Sequence, residues 1–286
     1  GSSMDCAKAI TCVYDSGGSA RNYVGVGLVK KRLTPLIQIP TTAGTGSEVT
    51  LGAIFAVPEE KRKIGIVSPF MMADSVIVDP ELTYSMPQFV TACTGLDALL
   101  HAVESYFSVN SNELTDMYAL RSIEIICSNL IEAYSTGNKQ ARNMMSLGSY
   151  LSGVSMANAG GAAIHSFGYP VSGTHHEAHG LVNSIFFLPI LKRNIPLCLF
   201  KAKRMLQAMG VDISFLSDAE ISERLLEKCN DLMEKINLKK CLKDINVDES
   251  ELHFFAKNVL KETRLLKNNP FVFDEEKALE VYKEVF

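Results

Sequence analysis

The sequence predicts an α/β part followed by an all-α part. Three observations carry that prediction. Residues 1–81 alternate short β-rich runs with turn clusters. From residue 82 onward, apolar residues recur at helical spacing. Apolar residues make up 47% of the 286, enough to give both parts a core. The expected division is therefore 1–81 and 82–286.

The elements follow in order. A short helix is expected between Met4 and Cys12. Leu36 to Pro40 reads as a buried strand running into a Thr/Gly/Ser loop. Ile54–Val57 is a second strand, closed by Pro58-Glu59-Glu60, and Ile64–Val67 and Ser75–Pro80 are two more. Gly25-Val26-Gly27 looks superficially like a dinucleotide turn, but no third glycine follows, and it reads as loop. Helical periodicity covers 88–108, 114–134, 139–157 and 159–170, then a segment after Asn183 through Leu191. Glu220–Ile236, Glu249–Lys267 and Asp274–Val285 are more charged helices. The acids Asp274, Glu275 and Glu276 suit the positive end of the last helix's dipole.

Composition excludes several classes. A net charge of −4 with both signs mixed argues against a nucleic-acid surface. No apolar run approaches the roughly 18 residues of a membrane span. The seven cysteines are scattered and form no CxxC pair, which suits thiols in a reducing compartment. Residues 1–30 lack the apolar centre of a secretory leader, so a cytoplasmic location is expected.

Chemistry concentrates in the histidines, five of which lie between residues 101 and 179. Asp97, His101, Glu104 and Ser108 fall on one line of a helix, beside the stripe Leu96, Leu99, Leu100, Val103 and Phe107. Asp97 and His101, four apart, can share a divalent metal or simply hydrogen-bond across a turn. His165 follows small residues, where an imidazole packs poorly unless something binds it. Pro170 and Gly173 should then break the chain, and His179-Gly180 should open the next helix. His175 and His176 read as residues of a polar turn, and His253 as ordinary surface. Asp97, His101, His165 and His179 would make a three-nitrogen, one-oxygen set suited to Fe²⁺ or Zn²⁺. Glu104, one turn beyond His101, would orient that ring's other nitrogen.

Pro40 to Thr50 (PTTAGTGSEVT) is a glycine-rich loop after a strand. Its backbone N–H groups and hydroxyls could cradle an anion. It is neither GxGxxG nor GxxxxGK[ST], so a hydroxyl-rich turn explains it equally well. Lys63, beyond a tight turn at Glu59–Arg62, either reaches a phosphate or stays solvated.

Together these segments resemble the iron-containing (group III) alcohol dehydrogenases. Residues 1–10 look like the end of that family's GGGSxxDxAKAI segment. Pro40–Thr50 matches its PTTAGTGSEVT loop letter for letter. Thr94–Glu104 matches TGxDAxxHAxE, and His165 and His179-Gly180 match its later HxxxxP and HG elements. The motifs are strong to about residue 194 and weaker beyond.

The resemblance implies a partial Rossmann-like nucleotide-binding domain followed by a helical metal-binding domain, with the site in the cleft between. It places metal ligands at Asp97, His101, His165 and His179. It places dinucleotide contacts at Gly1, Ser2, Asp5, Thr41, Thr42, Thr45, Ser47, Lys63 and Leu82. The implied cofactors are Fe²⁺, with Zn²⁺ as the other candidate, and NAD or NADP. The implied reaction is reversible hydride transfer between the dinucleotide and a small alcohol or aldehyde.

Tyr169 stands where many members have histidine; it either relays a proton or only packs. The Tyr-Pro-Val-Ser-Gly segment at 169–173 and the Leu265–Pro270 segment look most like the 4-hydroxybutyrate dehydrogenase branch. That branch points to a hydroxy-acid pair, 4-hydroxybutyrate and succinate semialdehyde. Family members carry roughly ninety further residues ahead of the Gly-Ser element, including the first strands of the nucleotide domain. The expectation is a chain lacking them, with an open sheet edge that favours homo-oligomers. Two rival functions fit the same residues: a hydroxyacid–oxoacid transhydrogenase, and a metal-binding fragment without catalysis.

Overall fold

The structure, a computed structural model, describes residues 1–57 and 62–286. The closure of the strand at Pro58–Glu60, and the turn expected over Glu59–Arg62 except for Arg62, lie outside the described residues.

Strands occupy the first part. Helix α1 (Ser2–Ser16) is longer than the expected segment at both ends and packs on the strand Gly52–Val57. Lys8 on its inner face is fully buried. Its ammonium donates to the carbonyls of Ser47 (2.5 Å), Thr50 (2.8 Å) and Gly52 (2.9 Å). Those bonds offset the cost of taking a charge out of water, and burial still pushes its pKa down to about 8.

Strands β1 (Gly25–Val26), β4 (Arg62–Val67) and β3 (Gly52–Val57) form one sheet in the order β1-β4-β3. β1 is parallel to β4 and β3 antiparallel to it. Gly25–Val26 is thus a strand rather than loop: the ladder to Ile66 and Val67 supplies the order that two residues cannot show in a sequence pattern. A second sheet pairs β2 (Ile37–Gln38) with β5 (Ser75–Val76) in parallel. Both are shorter than the apolar runs containing them, because the ladder ends where pairing ends.

From Gln88 the chain is helical. α2 (Gln88–Phe107), α3 (Glu113–Ser135) and α4 (Lys139–Ala159) pack on one another and form the centre of the main core. α2 is buried on nearly every side from Thr91 to Phe107. The predicted apolar stripe therefore lies within a helix whose polar line is buried too, and buried polar groups need partners.

α5 (Ala163–Thr174) starts later than expected and runs through Pro170 without breaking. Proline removes one backbone donor from a helix interior. Here every residue from Ala163 to Gly173 is buried, so packing holds the helix together. α6 (His179–Asn194) opens at His179, as the His179-Gly180 reading expects, and takes in the apolar run after Asn183. α7 (Leu199–Ala208) and α8 (Asp218–Lys235) follow. The expected helix over Glu249–Lys267 is three pieces: a 3₁₀ turn at Glu249–Glu251, α9 (Leu252–Val259) and α10 (Thr263–Leu266). α11 (Glu275–Glu284) closes the chain.

Two glycines let these parts meet. Gly46 has φ 58°, and a Cβ there would lie 2.6 Å from the Cα of Gly153 on α4. Only hydrogen at both positions lets the 40–50 loop seat on the helical core. Gly180, in the first turn of α6, faces the backbone of α2: a Cβ would lie 2.0 Å from the Cys93 carbonyl oxygen.

Candidate metal centre

The close approach at Gly180 decides where His179 stands, and hence which groups surround Asp97. α2 brings Asp97 and His101, α5 brings His165, and α6 brings His179. Ligating atoms of Asp97, His101 and His165 all lie within 4.8 Å of one another, and all three residues are buried. His165 Nε2 is 3.4 Å from Asp97 Oδ1, and His101 Nε2 is 4.0 Å from Asp97 Oδ2. His179 Nε2 is 4.0 Å from Asp97 Oδ1, with its side chain about one-third exposed. The rings of His101 and His165 stack with centroids 4.6 Å apart.

The outer nitrogens are held from behind. His165 Nδ1–H donates to Glu104 Oε2 at 2.5 Å, and the His165 backbone N–H donates to Glu104 Oε1 at 3.2 Å. The sequence assigned Glu104 to His101, and the structure corrects this: Glu104 serves His165, one helix away. His101 Nδ1–H instead donates to the Gly44 carbonyl at 3.3 Å, from the 40–50 loop. Both tautomers leave Nε2 directed at Asp97. No hydrogen bond reaches His165 Nε2, although it is buried. A buried imidazole nitrogen without a hydrogen bond, 3.4 Å from an ionised carboxylate, fits a divalent cation better than a packing role, and the donor set suits Fe²⁺ or Zn²⁺.

The electrostatics agree. Burial opposes ionisation of Asp97, but His101, His179 and His165 outweigh it and hold the carboxyl well below its usual range. Burial also opposes the His165 imidazolium, yet Glu104 and Asp97 prevail and raise its pKa to about 10. Burial lowers His101 and His179, and Lys63 adds to the effect at His179.

Lys63 lies at the cluster, with Nζ 3.1 Å from His179 Nδ1 and 5.8 Å from the Tyr169 ring centroid. Burial lowers its pKa, against the pull of Asp97. Tyr169 is buried, its ring centroid 6.3 Å from that of His179. Burial pushes its hydroxyl up to about 12. The hydroxyl therefore keeps its proton at neutral pH.

The other expected contacts divide. Gly1, Asp5, Thr45 and Ser47 sit together. Ser47 Oγ donates to Asp5 Oδ1 at 2.5 Å, the Ser47 N–H donates to Thr45 Oγ1 at 3.3 Å, and a Cβ on Gly1 would lie 2.9 Å from Thr45 Cγ2. The second oxygen of Asp5 accepts from the Ile54 N–H at 2.9 Å, so this carboxylate braces the loop. Ser2 and Thr41 are exposed, Thr42 is half-buried, and Leu82 is exposed in the 3₁₀ turn Pro80–Thr83. Of the polar-turn histidines, His175 is half-buried and its Nε2 lies 3.1 Å from both Glu251 oxygens, while His176 is exposed.

Two participants escaped the sequence. The Gly44 carbonyl carries no side-chain signal. Asn183 did carry one: it lies four residues after His179, on the same face of α6. Its Nδ2 is 3.3 Å from Asp97 Oδ1 and 3.2 Å from His179 Nε2.

Comparison with known proteins gives one answer throughout. Residues 1–80 match the family model described as iron-containing alcohol dehydrogenase. Residues 91–286 match that of the Fe-containing alcohol dehydrogenase family, C-terminal. A long-chain-alcohol dehydrogenase of Geobacillus thermodenitrificans is 37% identical over 292 residues, covering 100% of this chain and 73% of the relative. An NAD-dependent methanol dehydrogenase of Bacillus methanolicus is 31% identical, over 99% and 74%. The crystal structure of a 1,3-propanediol oxidoreductase superposes with a TM-score of 0.95 at 31% identity, covering 99% of this chain and 74% of that one.

Proposed function

The chain belongs to the iron-containing alcohol dehydrogenase family, and from that premise we propose how its own residues serve the family's reaction. It is an NAD-dependent oxidoreductase acting on a small alcohol or aldehyde, with iron as its metal. The ligands are Asp97, His101, His165 and His179. The observation that carries this assignment is His165 Nε2: buried, without a hydrogen bond, and 3.4 Å from Asp97 Oδ1.

Fe²⁺ held there supplies Lewis acidity that favours the ionised form of an alcohol, and NAD supplies the hydride acceptor. The protein does the rest. Asp97 stays ionised and provides the negative charge. Glu104 and the Gly44 carbonyl fix the tautomers of His165 and His101. Tyr169, kept protonated by burial, is a hydroxyl donor beside His179. Lys63 places a cation at the cluster's edge.

The dinucleotide runs along Gly1, Ser2 and Asp5, the hydroxyls of Thr41, Thr42, Thr45 and Ser47, and on to Lys63 and Leu82. Support for the loop as its seat comes from the Gly44–His101 bond, which ties that loop to the metal cluster. We place the division at 81/82; in support, the strands among the described residues end at Val76, the helices of the second part begin at Gln88, and the two family matches part between 80 and 91. No helix among the described residues is long and apolar enough to cross a membrane. The seven free cysteines suit a reducing compartment such as the cytoplasm.

Aldehyde-dependent oxidation of free NADH tests the assignment. Activity should disappear on chelation and return with Fe²⁺. Transfer only between two organic acids, with no turnover of free NADH, would overturn it.

A further inference from the structure

Asn183 is fully buried, on the inner face of α6 one turn after His179. Its amide nitrogen lies within hydrogen-bond distance of two groups of the cluster on two different helices: Asp97 Oδ1 on α2 at 3.3 Å and His179 Nε2 on α6 at 3.2 Å. Its amide oxygen has no hydrogen-bond partner. That oxygen occupies the space left by Gly168 on α5, where a Cβ would lie 2.2 Å from it. Turning the amide over would set its oxygen against the oxygen of an ionised Asp97, two acceptors face to face. The network therefore fixes the nitrogen toward Asp97, at the cost of leaving a buried carbonyl oxygen unbonded.

A chain that needed Asn183 only for packing would gain by placing an apolar side chain there. We infer that Asn183 is a positioning residue for the metal site: its N–H donor aims one oxygen of Asp97 across the α2–α6 contact opened by Gly180, while its contact with His179 Nε2 is one that a metal ion taking that nitrogen's lone pair would replace. This rests on the metal site proposed above. The donor acts on ligand orientation, so its loss should lower metal affinity and alter the coordination geometry while the helices stay packed. Outer partners of metal ligands typically contribute about 10–100-fold in affinity.

The test uses the full chain and two metals alone, Zn²⁺ and Co²⁺. Zn²⁺ affinity is measured by competition with a chelator in wild type, Asn183→Leu, Asn183→Ala and a control, Ser184→Ala. Leucine keeps the volume and removes the donor. Ser184 is buried on the same helix and donates to the Leu181 and Leu238 carbonyls, away from the cluster. Both Asn183 variants should bind Zn²⁺ about 10–100-fold more weakly, and their Co²⁺ visible spectra should differ from wild type. Ser184→Ala should lose thermal stability but keep its Zn²⁺ affinity and Co²⁺ spectrum.

Wild-type affinity and spectrum in Asn183→Leu would overturn the role of Asn183 alone. A wild-type chain that binds no Zn²⁺ would overturn the metal site with it. If both Asn183 variants fail to fold, the wild type decides: the side-chain amide resonances of Asn183 should shift on Zn²⁺ titration, and resonances that do not move would overturn the inference.

Discussion

His165 stands between two carboxylates, and its two nitrogens face different ones. Glu104 takes the proton of Nδ1, and Asp97 faces Nε2. With its pKa raised to about 10, the ring carries a proton on Nε2 at neutral pH unless a metal ion displaces it. Metal uptake at pH 7 should therefore release about one proton per ion from this residue, and apparent affinity should climb with pH toward that value. A pH indicator in weak buffer during Zn²⁺ addition measures the release; uptake without proton release would contradict the pairing of His165 with both acids. At this scale the sequence was partly legible. Asp97 and His101 share a helix face, and spacing alone showed it. Glu104 sits on the same line, yet its partner is on another helix, and periodicity along one helix carries no information across a helix interface. With His179, Asn183 repeats on α6 the four-residue spacing of Asp97 and His101 on α2, a signal available in the sequence but hidden because asparagine is rarely read as part of a metal site.

The proposed ligands are brought together by contacts between elements. α2 and α6 touch at Cys93 and Gly180, where a side-chain carbon would collide with backbone at 2.0 Å. Backbone cannot yield as a flexible side chain does. Gly180→Ala should therefore cost about 1–3 kcal/mol or more, read as a fall in the thermal midpoint, and should weaken metal binding by displacing His179. An unchanged midpoint would show that the two helices have slack. Element identity was legible wherever a pattern ran for several turns, as in α2, α3, α4 and α8. It failed where tertiary packing overrode local chemistry. Pro170 reads as a breaker, but a wholly buried helix holds through it. The Glu249–Lys267 segment keeps an apolar period across breaks that only the backbone reveals.

At the scale of the molecule, the strand-bearing part and the helical part share one site. The 40–50 loop hands a carbonyl from Gly44 to His101, and β4 hands Lys63 to His179. Arg142, buried on α4, holds the connection between the parts by donating to the carbonyls of Thr83 (2.6 Å) and Met86 (2.9 Å). The passage from strands, the last of those described ending at Val76, to helices from Gln88 was legible because it is a change of hydrophobic period. The bonds across it were not, since each depends on a backbone carbonyl or a long side chain meeting a residue far away in sequence. Asp97, His101, His165 and His179 are proposed to hold one metal ion together. Elemental analysis of the purified chain and of His165→Ala, each reconstituted with Fe²⁺ under anaerobic conditions and desalted, tests it most directly. About one ion per wild-type chain and almost none in the variant are expected; a full equivalent retained by His165→Ala would show that His165 is not a ligand.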